Sequence, residues 1–261
     1  MPVKLLFIGD IIGKPGRQAL SRELHRLVDR YGVDLVIANG ENAAGGFGLT
    51  ADTARELFDL GVHCLTSGNH IWDKKEQVAL VLADPRILRP ANYPEGVPGR
   101  GSALFTTPGG ARVGVLNLEG RVFMKNLDCP FRVADREIER LRRETAVILV
   151  DFHAEATSEK ASLGWYLDGK ASAVIGTHTH VQTADERILT QGTAYMSDAG
   201  MTGSFDSVIG IGKEEAIRKF LTQLPTKFEV PKKDIRLNAV VVGIDEVSGK
   251  AVSIERVAVN C

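Results

Sequence analysis

The sequence predicts a layered α/β fold in which most strands run parallel. Short apolar runs alternate with segments whose apolar residues recur at helical spacing, and glycine or polar residues separate the two kinds of segment. With 261 residues, 44% of them hydrophobic, the chain can bury a large core without disulfide bonds. It contains no repeat, low-complexity tract or fresh domain boundary, so we expect residues 1–261 to form a single domain.

The first third of the chain repeats the order of a strand followed by a helix. The predicted elements are a strand at 3–8, a helix ending at Gly32, a strand at 35–38, a glycine-rich loop at 40–48, a helix from Thr50 to Gly61, a strand at 62–66, a loop at 67–70 and a charged helix from Lys74. Thr50 suits a helix start because its hydroxyl can accept from a free backbone N–H, and glycine suits a helix end. This alternation is typical of a parallel sheet.

The remainder of the chain is richer in strands. It predicts a hairpin of 103–106 with 112–118, a helix at about 134–143, a strand at 146–150, a helix at 159–167, short strands at 173–175, 187–189 and 195–196, and a C-terminal hairpin of 238–244 with 252–259. Two sheets, each covered by helices, accommodate this order of elements.

Charge and cysteine content exclude several classes of protein. The 32 basic and 33 acidic residues argue against a protein that coats DNA, RNA or an anionic membrane, and a small substrate fits this balance better than an extended nucleic-acid groove does. Cys64, Cys129 and Cys261 form no CxxC pair, so the sequence indicates neither a disulfide framework nor a zinc–thiolate site. No signal sequence or spanning segment is visible, and we expect a soluble cytoplasmic protein without a membrane partner.

Aspartate, glutamate, asparagine and histidine residues lie just past the ends of five predicted strands. They are Asp10; Glu41 and Asn42; Asn69 and His70; Asp151 and His153; and His178 and His180. The carboxyl ends of strands are where ligand crevices form in open α/β sheets, so we expect these side chains to share one site.

The residue types in this set predict a metal centre. Carboxylate, amide and imidazole groups without a thiolate suit iron, manganese or zinc. The seven candidate ligands are Asp10, Glu41, Asn42, Asn69, His153, His178 and His180. Seven ligands suit two ions about 3.5–4 Å apart, bridged by a carboxylate, with a metal-bound hydroxide attacking phosphorus and an acid protonating the leaving oxygen. The residues alone therefore predict a dinuclear hydrolase acting at phosphorus.

Each of these elements also has a structural explanation of its own. Asp10 can be a turn residue, and the loop 40–46 can be a flexible connection or a phosphate cradle, although it lacks the P-loop lysine. His153 can be a core histidine, and a lone His178-x-His180 pair is often at the surface, although two such histidines on extended backbone would point the same way. Because potential metal ligands occur at all five strand ends, a shared metal centre is favoured over five separate structural explanations.

Other residues are assigned to no site. We expect His25 to be a solvated helix residue, His63 to be packed or hydrogen-bonded, and Cys64 to be a small buried residue. Trp165 and Tyr166 are expected in the core or at an interface. The glycine-rich stretch 198–204 is left open between a loop near a ligand and a mobile connection.

The order of these motifs resembles the calcineurin-like metallophosphoesterases. The resemblance rests on Gly9-Asp10, Gly40-Glu41-Asn42, Gly68-Asn69-His70, His153 and Gly176-Thr177-His178-Thr179-His180. Two departures are informative: Asp10-Ile11-Ile12 stands where that superfamily usually has Asp-x-His, and Glu41-Asn42 stands in its second motif. Together with the sequences of segments 68–75, 176–185 and 200–203, these two departures resemble the motifs of the YmdB-like branch.

The resemblance implies a four-layer α/β/β/α sandwich of the metallophosphoesterase type that binds two metal ions, with iron expected and manganese able to substitute. It implies that one ion is held by Asp10, Asn42 and His180. It implies that the other is held by Asn69, His153 and His178. Glu41 would bridge the ions, and Asn42 would replace the ligand that Ile12 cannot provide.

By the same resemblance, His70 is the general acid and the substrate is a small nucleotide phosphodiester. The implied reaction opens 2′,3′-cyclic nucleotides to nucleoside 3′-phosphates. Two alternatives stay open: a phosphomonoesterase such as a nucleotidase on the same metals, and a regulatory, RNA-associated binding protein with a vestigial site. A homo-oligomer is compatible with the sequence.

Overall fold

A computed structural model describes residues 2–261, which form thirteen strands and six α-helices. The strands are β1 (Val3–Ile8), β2 (Asp10–Ile11), β3 (Leu35–Asn39), β4 (Cys64–Thr66), β5 (Ser102–Thr106), β6 (Arg112–Glu119), β7 (Val147–His153), β8 (Ala173–Thr177), β9 (Arg187–Ile188), β10 (Ala194–Met196), β11 (Met201–Ser204), β12 (Ile235–Ile244) and β13 (Ala251–Asn260). The helices are α1 (Gly13–Tyr31), α2 (Ala51–Asp59), α3 (Val78–Leu82), α4 (Pro130–Arg142), α5 (Thr157–Tyr166) and α6 (Lys213–Thr222).

The strands form two sheets. The first has the order β2-β11-β12-β1-β3-β4, with β13 paired to β12, and β1, β3 and β4 run parallel. The second has the order β5-β6-β7-β8-β10-β9, in which β6, β7, β8 and β10 run parallel. The predicted hairpins appear as antiparallel pairs, β5 with β6 and β12 with β13.

The sheets pack face to face between two helical layers. Alternate residues of β1 point to opposite faces of the first sheet. Leu5 and Phe7 pack in the core between the two sheets, and Leu6 and Ile8 pack in the core under α1. On the other side, α4 and α5 cover the second sheet around Ile148. The predicted α/β/β/α arrangement is confirmed.

The local signals at helix ends also hold. Thr50 Oγ1 accepts from Thr53 N–H at 3.3 Å, which caps the start of α2. Gly32 ends α1 with φ +61°, a conformation that glycine adopts without steric cost. Among residues 2–261, no helix combines the length and the apolar composition needed to cross a bilayer.

The structure corrects several local predictions. The charged helix predicted from Lys74 is wrong, because a 3₁₀ turn at Asn69–Trp72 and further turns precede the short α3. Those turns are fixed by local bonds, among them Asp73 N–H to the His70 carbonyl. The strand predicted at 146–150 continues to His153, because its pairing with β6 continues to Glu119.

The remaining single-residue predictions are confirmed for three residues, whereas a core position for two aromatic residues is not. His25 is solvated, Cys64 is fully buried, and His63 Nδ1 accepts from Val36 N–H at 3.0 Å, as expected. Trp165 and Tyr166 on α5 are 50% and 40% exposed, so the core alternative is wrong for them, and the interface alternative stays a prediction.

Candidate metal centre

The candidate site lies where strands of both sheets end at one edge of the sandwich. The loops after β1, β3, β4 and β8 and the last residue of β7 meet there. The structure brings together all the residues that the sequence selected, namely Asp10, Glu41, Asn42, Asn69, His70, His153, His178 and His180.

Two glycines allow the backbones to approach this closely. A Cβ on Gly68 would lie 2.1 Å from His153 Cδ2, and a Cβ on Gly176 would lie 1.8 Å from the Ser197 carbonyl oxygen. Neither neighbour can move without displacing a strand end. A larger residue at either glycine would therefore push the next candidate ligand, Asn69 or His178, out of the site.

His153 lies at the centre of the first group of donor atoms. Its Nε2 is 3.0 Å from His178 Nδ1, 3.2 Å from Asn69 Oδ1 and 3.2 Å from Glu41 Oε1. A ring nitrogen carries at most one proton, so it cannot satisfy three such neighbours at once. A cation among these four atoms would satisfy all of them, and the donor set suits a metal that prefers nitrogen and oxygen.

A chain of hydrogen bonds behind His153 determines which ring nitrogen faces the site. Thr177 donates its hydroxyl to Asp151 Oδ1 at 2.7 Å, so Thr177 Oγ1 accepts from His153 Nδ1 at 3.0 Å. In the neutral ring this leaves the lone pair of Nε2 facing Glu41, which is the tautomer that a metal ligand needs. Asp151 itself is buried and also accepts from Asn39 at 3.1 Å, so it orients His153 from behind.

Asp10, Glu41 and His180 form a second group, and Glu41 belongs to both groups. The donor atoms of each group lie within 4.8 Å of one another. His180 Nε2 is 3.8 Å from Asp10 Oδ1 and 3.3 Å from Asn42 Nδ2. Among the described residues, the buried oxygens Asp10 Oδ1 and Asn42 Oδ1 have no hydrogen-bond partner. Buried polar atoms are normally paired, so Asp10 Oδ1 fits a bound cation. Asn42 Oδ1 would face the same cation with its amide turned over, because Nδ2 is the atom that lies toward His180 and Glu41.

The electrostatics of the site keep Glu41 ionised and His178 neutral. Burial disfavours the ionised form of Glu41, yet His153 lowers the pKa of Glu41 to about 2 and keeps it a carboxylate. Burial, with repulsion from His153, lowers the pKa of His178 to about 3, so its imidazole is neutral and can ligate. Burial also opposes protonation of His153, but the charge of Glu41 raises the pKa of His153 to about 9, so its ring holds a proton that a bound cation would replace at Nε2.

The histidine pair after β8 adopts a conformation that the sequence did not predict. His178 and His180 have φ of +102° and +67°, so the extended backbone expected for them is wrong. Thr179 between them is held by Asp198, whose Oδ2 accepts from Thr179 N–H at 3.0 Å and from its hydroxyl at 2.8 Å. These bonds account for the turn: they fix the residue between the histidines, and both rings face the site.

Each of these two rings also has a partner on its far side. His178 Nε2 is 3.0 Å from Glu155 Oε2, and His180 Nδ1 donates to the Ile209 carbonyl at 2.8 Å. A carboxylate or carbonyl behind an imidazole fixes its orientation and strengthens the nitrogen on the other side as a ligand.

His70 lies beside the two donor groups rather than within them. Its backbone N–H donates to Glu41 Oε2 at 3.0 Å, and its Nδ1 is 2.7 Å from Asp73 Oδ2. The ring is partly exposed and lies edge-on to Phe47, with centroids 5.0 Å apart. His70 thus lines a cavity of about 260 Å³ that opens above the donor atoms.

The YmdB-like protein family model matches residues 6–257, which include every residue of this site. The chain belongs to the YmdB-like family. A Bacillus subtilis (strain 168) protein named 2′,3′-cyclic-nucleotide 2′-phosphodiesterase is 48% identical to this YmdB-like chain over 258 residues, covering 99% of it and 97% of the relative.

Two solved structures resemble this YmdB-like chain throughout. A hypothetical protein from Thermus thermophilus is 43% identical, with a TM-score of 0.92 over 99% of each chain. A protein described as a novel phosphatase from Mycoplasma pneumoniae is 36% identical, with a TM-score of 0.93 over 100% of this chain and 94% of that one.

Several residues that support the site of this YmdB-like chain were not predicted from the sequence to belong to it. Asp73 and Glu155 could have been noticed, because each is a carboxylate two or three residues from a selected histidine. Lys160 carries no such signal, and Asp198 is marked only as the first residue of the stretch 198–204, for which a loop near a ligand is one of two alternatives. Lys160 and Asp198 are 38 residues apart, yet Lys160 Nζ contacts Asp198 Oδ2 at 2.7 Å behind the site.

Proposed function

We propose that this protein is a metal-dependent phosphodiesterase that opens 2′,3′-cyclic nucleotides to nucleoside 3′-phosphates at a centre for two ions. The observation that carries the proposal is that Glu41 is shared by two donor groups directly beside His70. The name of the Bacillus subtilis relative supports the substrate class and the bond that is cleaved.

The proposed ligands follow from the two donor groups. Asp10, Asn42 and His180 would hold one ion; Asn69, His153 and His178 would hold the other; and Glu41 would contact both. When bound, the cations would supply Lewis acidity, neutralising charge on the phosphoryl oxygens and acidifying water. Iron is the metal we expect, with manganese as a substitute, because both accept this mixture of oxygen and nitrogen donors.

His70 would supply the proton for the leaving oxygen. With Nδ1 bonded to Asp73, the proton on Nε2 is the one that can be given to the 2′ oxygen. The P–O2′ bond breaks, water contributes a hydroxyl to phosphorus, and the remaining proton of that water returns to His70 through solvent. Asp73, whose Oδ2 is 2.7 Å from Nδ1, would orient the ring.

Two measurements test the proposal together. Elemental analysis of the purified protein should find bound metal, and adenosine 2′,3′-cyclic phosphate should be turned over faster than bis(p-nitrophenyl) phosphate or p-nitrophenyl phosphate, with the 3′-phosphate as product. A marked preference for the monoester would identify a phosphomonoesterase instead. Bound metal without turnover of any substrate would favour the binding-protein alternative, and protein without metal would remove the basis of the proposal.

A further inference from the structure

The cavity above the metal centre has an apolar side that the proposed chemistry does not use. Five residues form this apolar wall: Phe47, Ile209, Ile211, Phe228 and Val230. They come from the loop after β3 and from the segment between β11 and β12, which includes α6. A wall of this kind beside a phosphate-binding centre points to a substrate with an apolar, planar part.

We propose that the apolar wall binds the nucleobase of the substrate and that the cavity selects nucleotides carrying a single phosphate. The inference rests on the proposed function, because the cyclic phosphate must lie at the metal centre for the base to reach this wall. It adds to that function a binding site for the base and a rule for which cyclic nucleotides are accepted.

The two aromatic rings provide the surface for the base. The Phe47 and Phe228 centroids are 6.2 Å apart and the rings are tilted by 38°, so they contact each other and present one joint surface. Phe47 also contacts His70, with centroids 5.0 Å apart, which places this surface next to the proposed general acid. Stacking on an aromatic side chain tolerates any base because every base has a π face.

The wall is anchored to the loop that carries the ligands Glu41 and Asn42. A Cβ on Gly46 would lie only 2.9 Å from Val230 Cγ2, so Val230 packs directly on that loop. The Glu229 carbonyl accepts from Gly212 N–H at 2.9 Å, which ties the same segment to the start of α6. The wall is therefore already in place beside the donor atoms.

Charge at the cavity accounts for the selectivity. None of the described lining residues is Lys or Arg, whereas Glu155 and Glu229 both line the cavity. Lys219 lies 4.9 Å from the centroid of the Phe228 ring but is not among the lining residues. A second phosphate, such as a 5′-phosphate or the next nucleotide of an RNA strand, would meet these carboxylates, and none of the described lining residues is a cation that offsets them.

The first experiment separates the base from the phosphate. Adenosine 2′,3′-cyclic phosphate is compared with ethylene phosphate, a five-membered cyclic diester that has no ribose or base. For Phe228→Ala, the ratio of kcat/KM for the nucleotide to that for ethylene phosphate should fall about tenfold, within the range that loss of one stacking contact produces. Phe220→Ala, which changes a 75% exposed phenylalanine on α6 outside the cavity, should leave the ratio unchanged.

Direct binding adds a readout that does not depend on turnover. By calorimetry, Phe228→Ala should weaken binding of adenosine 3′-phosphate about tenfold and leave binding of inorganic phosphate unchanged. Equal losses for the two cyclic substrates, or for the two ligands, would overturn the base-binding role. Failure of the unaltered protein to hydrolyse either cyclic diester would instead overturn the proposed function.

The second experiment tests the single-phosphate rule. The unaltered protein should prefer a 5′-hydroxyl over a 5′-phosphorylated adenosine 2′,3′-cyclic phosphate. Glu229→Lys should raise the kcat/KM ratio of the 5′-phosphorylated to the 5′-hydroxyl substrate by about fivefold or more, and the effect should shrink at high salt. Equal use of both substrates by the unaltered protein would overturn the rule.

Discussion

Lys160 donates to Asp198 Oδ2 at 2.7 Å, and each side chain of this ion pair is only 2% exposed. The same carboxylate accepts from the backbone and the hydroxyl of Thr179, which lies between the ligand candidates His178 and His180. The buried ion pair therefore fixes the turn that presents both imidazoles. Lys160 and Asp198 neutralise each other's charge, so the Asp198 carboxylate supports the site without attracting a cation away from the donor atoms.

Asp198→Asn should destabilise the protein strongly. The amide keeps the shape of the carboxylate but leaves the Lys160 ammonium buried without a counter-charge, which costs roughly 3–5 kcal/mol. Urea unfolding at pH 7 measures the free energy of unfolding of the variant and of the unaltered protein. The matched control is Asp135→Asn, which breaks the exposed pair with Lys170 and should cost less than about 1 kcal/mol. A similar small cost for both variants would contradict the role assigned to Asp198.

Glu41→Gln should loosen the binding of both proposed ions. Glu41 contributes to both donor groups, and the substitution removes its negative charge while preserving its size. Metal content per chain after desalting is the measurement. Glu139→Gln, an exposed change on the outer face of α4, serves as the control and should keep its metal. Two ions still bound to the Glu41 variant would show that Glu41 does not bridge them.

The fold was predictable because its elements have strong local signals. The run 5–8 is apolar on both faces, as a strand between two cores must be. Thr50 and Gly32 mark helix ends by simple hydrogen-bond and steric rules. β11 was not recognised, because Met201–Ser204 lacks a hydrophobic pattern. It is a strand because it pairs with β2 and β12, which are distant in sequence.

The site was predictable only in part for a similar reason. Residues at strand ends could be selected because parallel strands bring their ends together, and the structure does place Asp10, Asn69 and His153 at one edge. The groups that orient them come from other parts of the chain. A lysine within a helix, such as Lys160, is normally solvated, and only the packing of α5 on β8 buries it.

His70→Ala should lower turnover by about 10²–10⁴-fold while leaving metal content unchanged, because the ring lies outside both donor groups and its backbone N–H to Glu41 is retained. Asp73→Asn should lower turnover less, since it removes only the group that orients the ring. His25→Ala, which changes a solvated histidine on α1, is the control. An unchanged rate for His70→Ala would exclude it as the acid.

Glu137 should make the stability depend on pH below about 4.5. Its carboxylate accepts from the Ser102 hydroxyl at 2.7 Å and from Arg140 at 3.1 Å. Burial opposes ionisation, but these hydrogen bonds and the charge of Arg140 lower the pKa of Glu137 below its ordinary 4.5. For a carboxyl whose folded pKa is depressed, the stabilisation is fully present above the unfolded pKa and is lost as the pH falls through the folded pKa.

Urea unfolding of the unaltered protein and of Glu137→Gln at pH 7.0, 5.5, 4.5 and 4.0 isolates this contribution, because other carboxyls titrate alike in both proteins. The difference in unfolding free energy should be constant between pH 7.0 and 5.5 and should shrink toward pH 4.0. Glu139→Gln, on the exposed face of the same helix, should show no such change. A difference that stays constant down to pH 4.0 would mean that the Ser102 and Arg140 contacts do not favour the ionised form of Glu137.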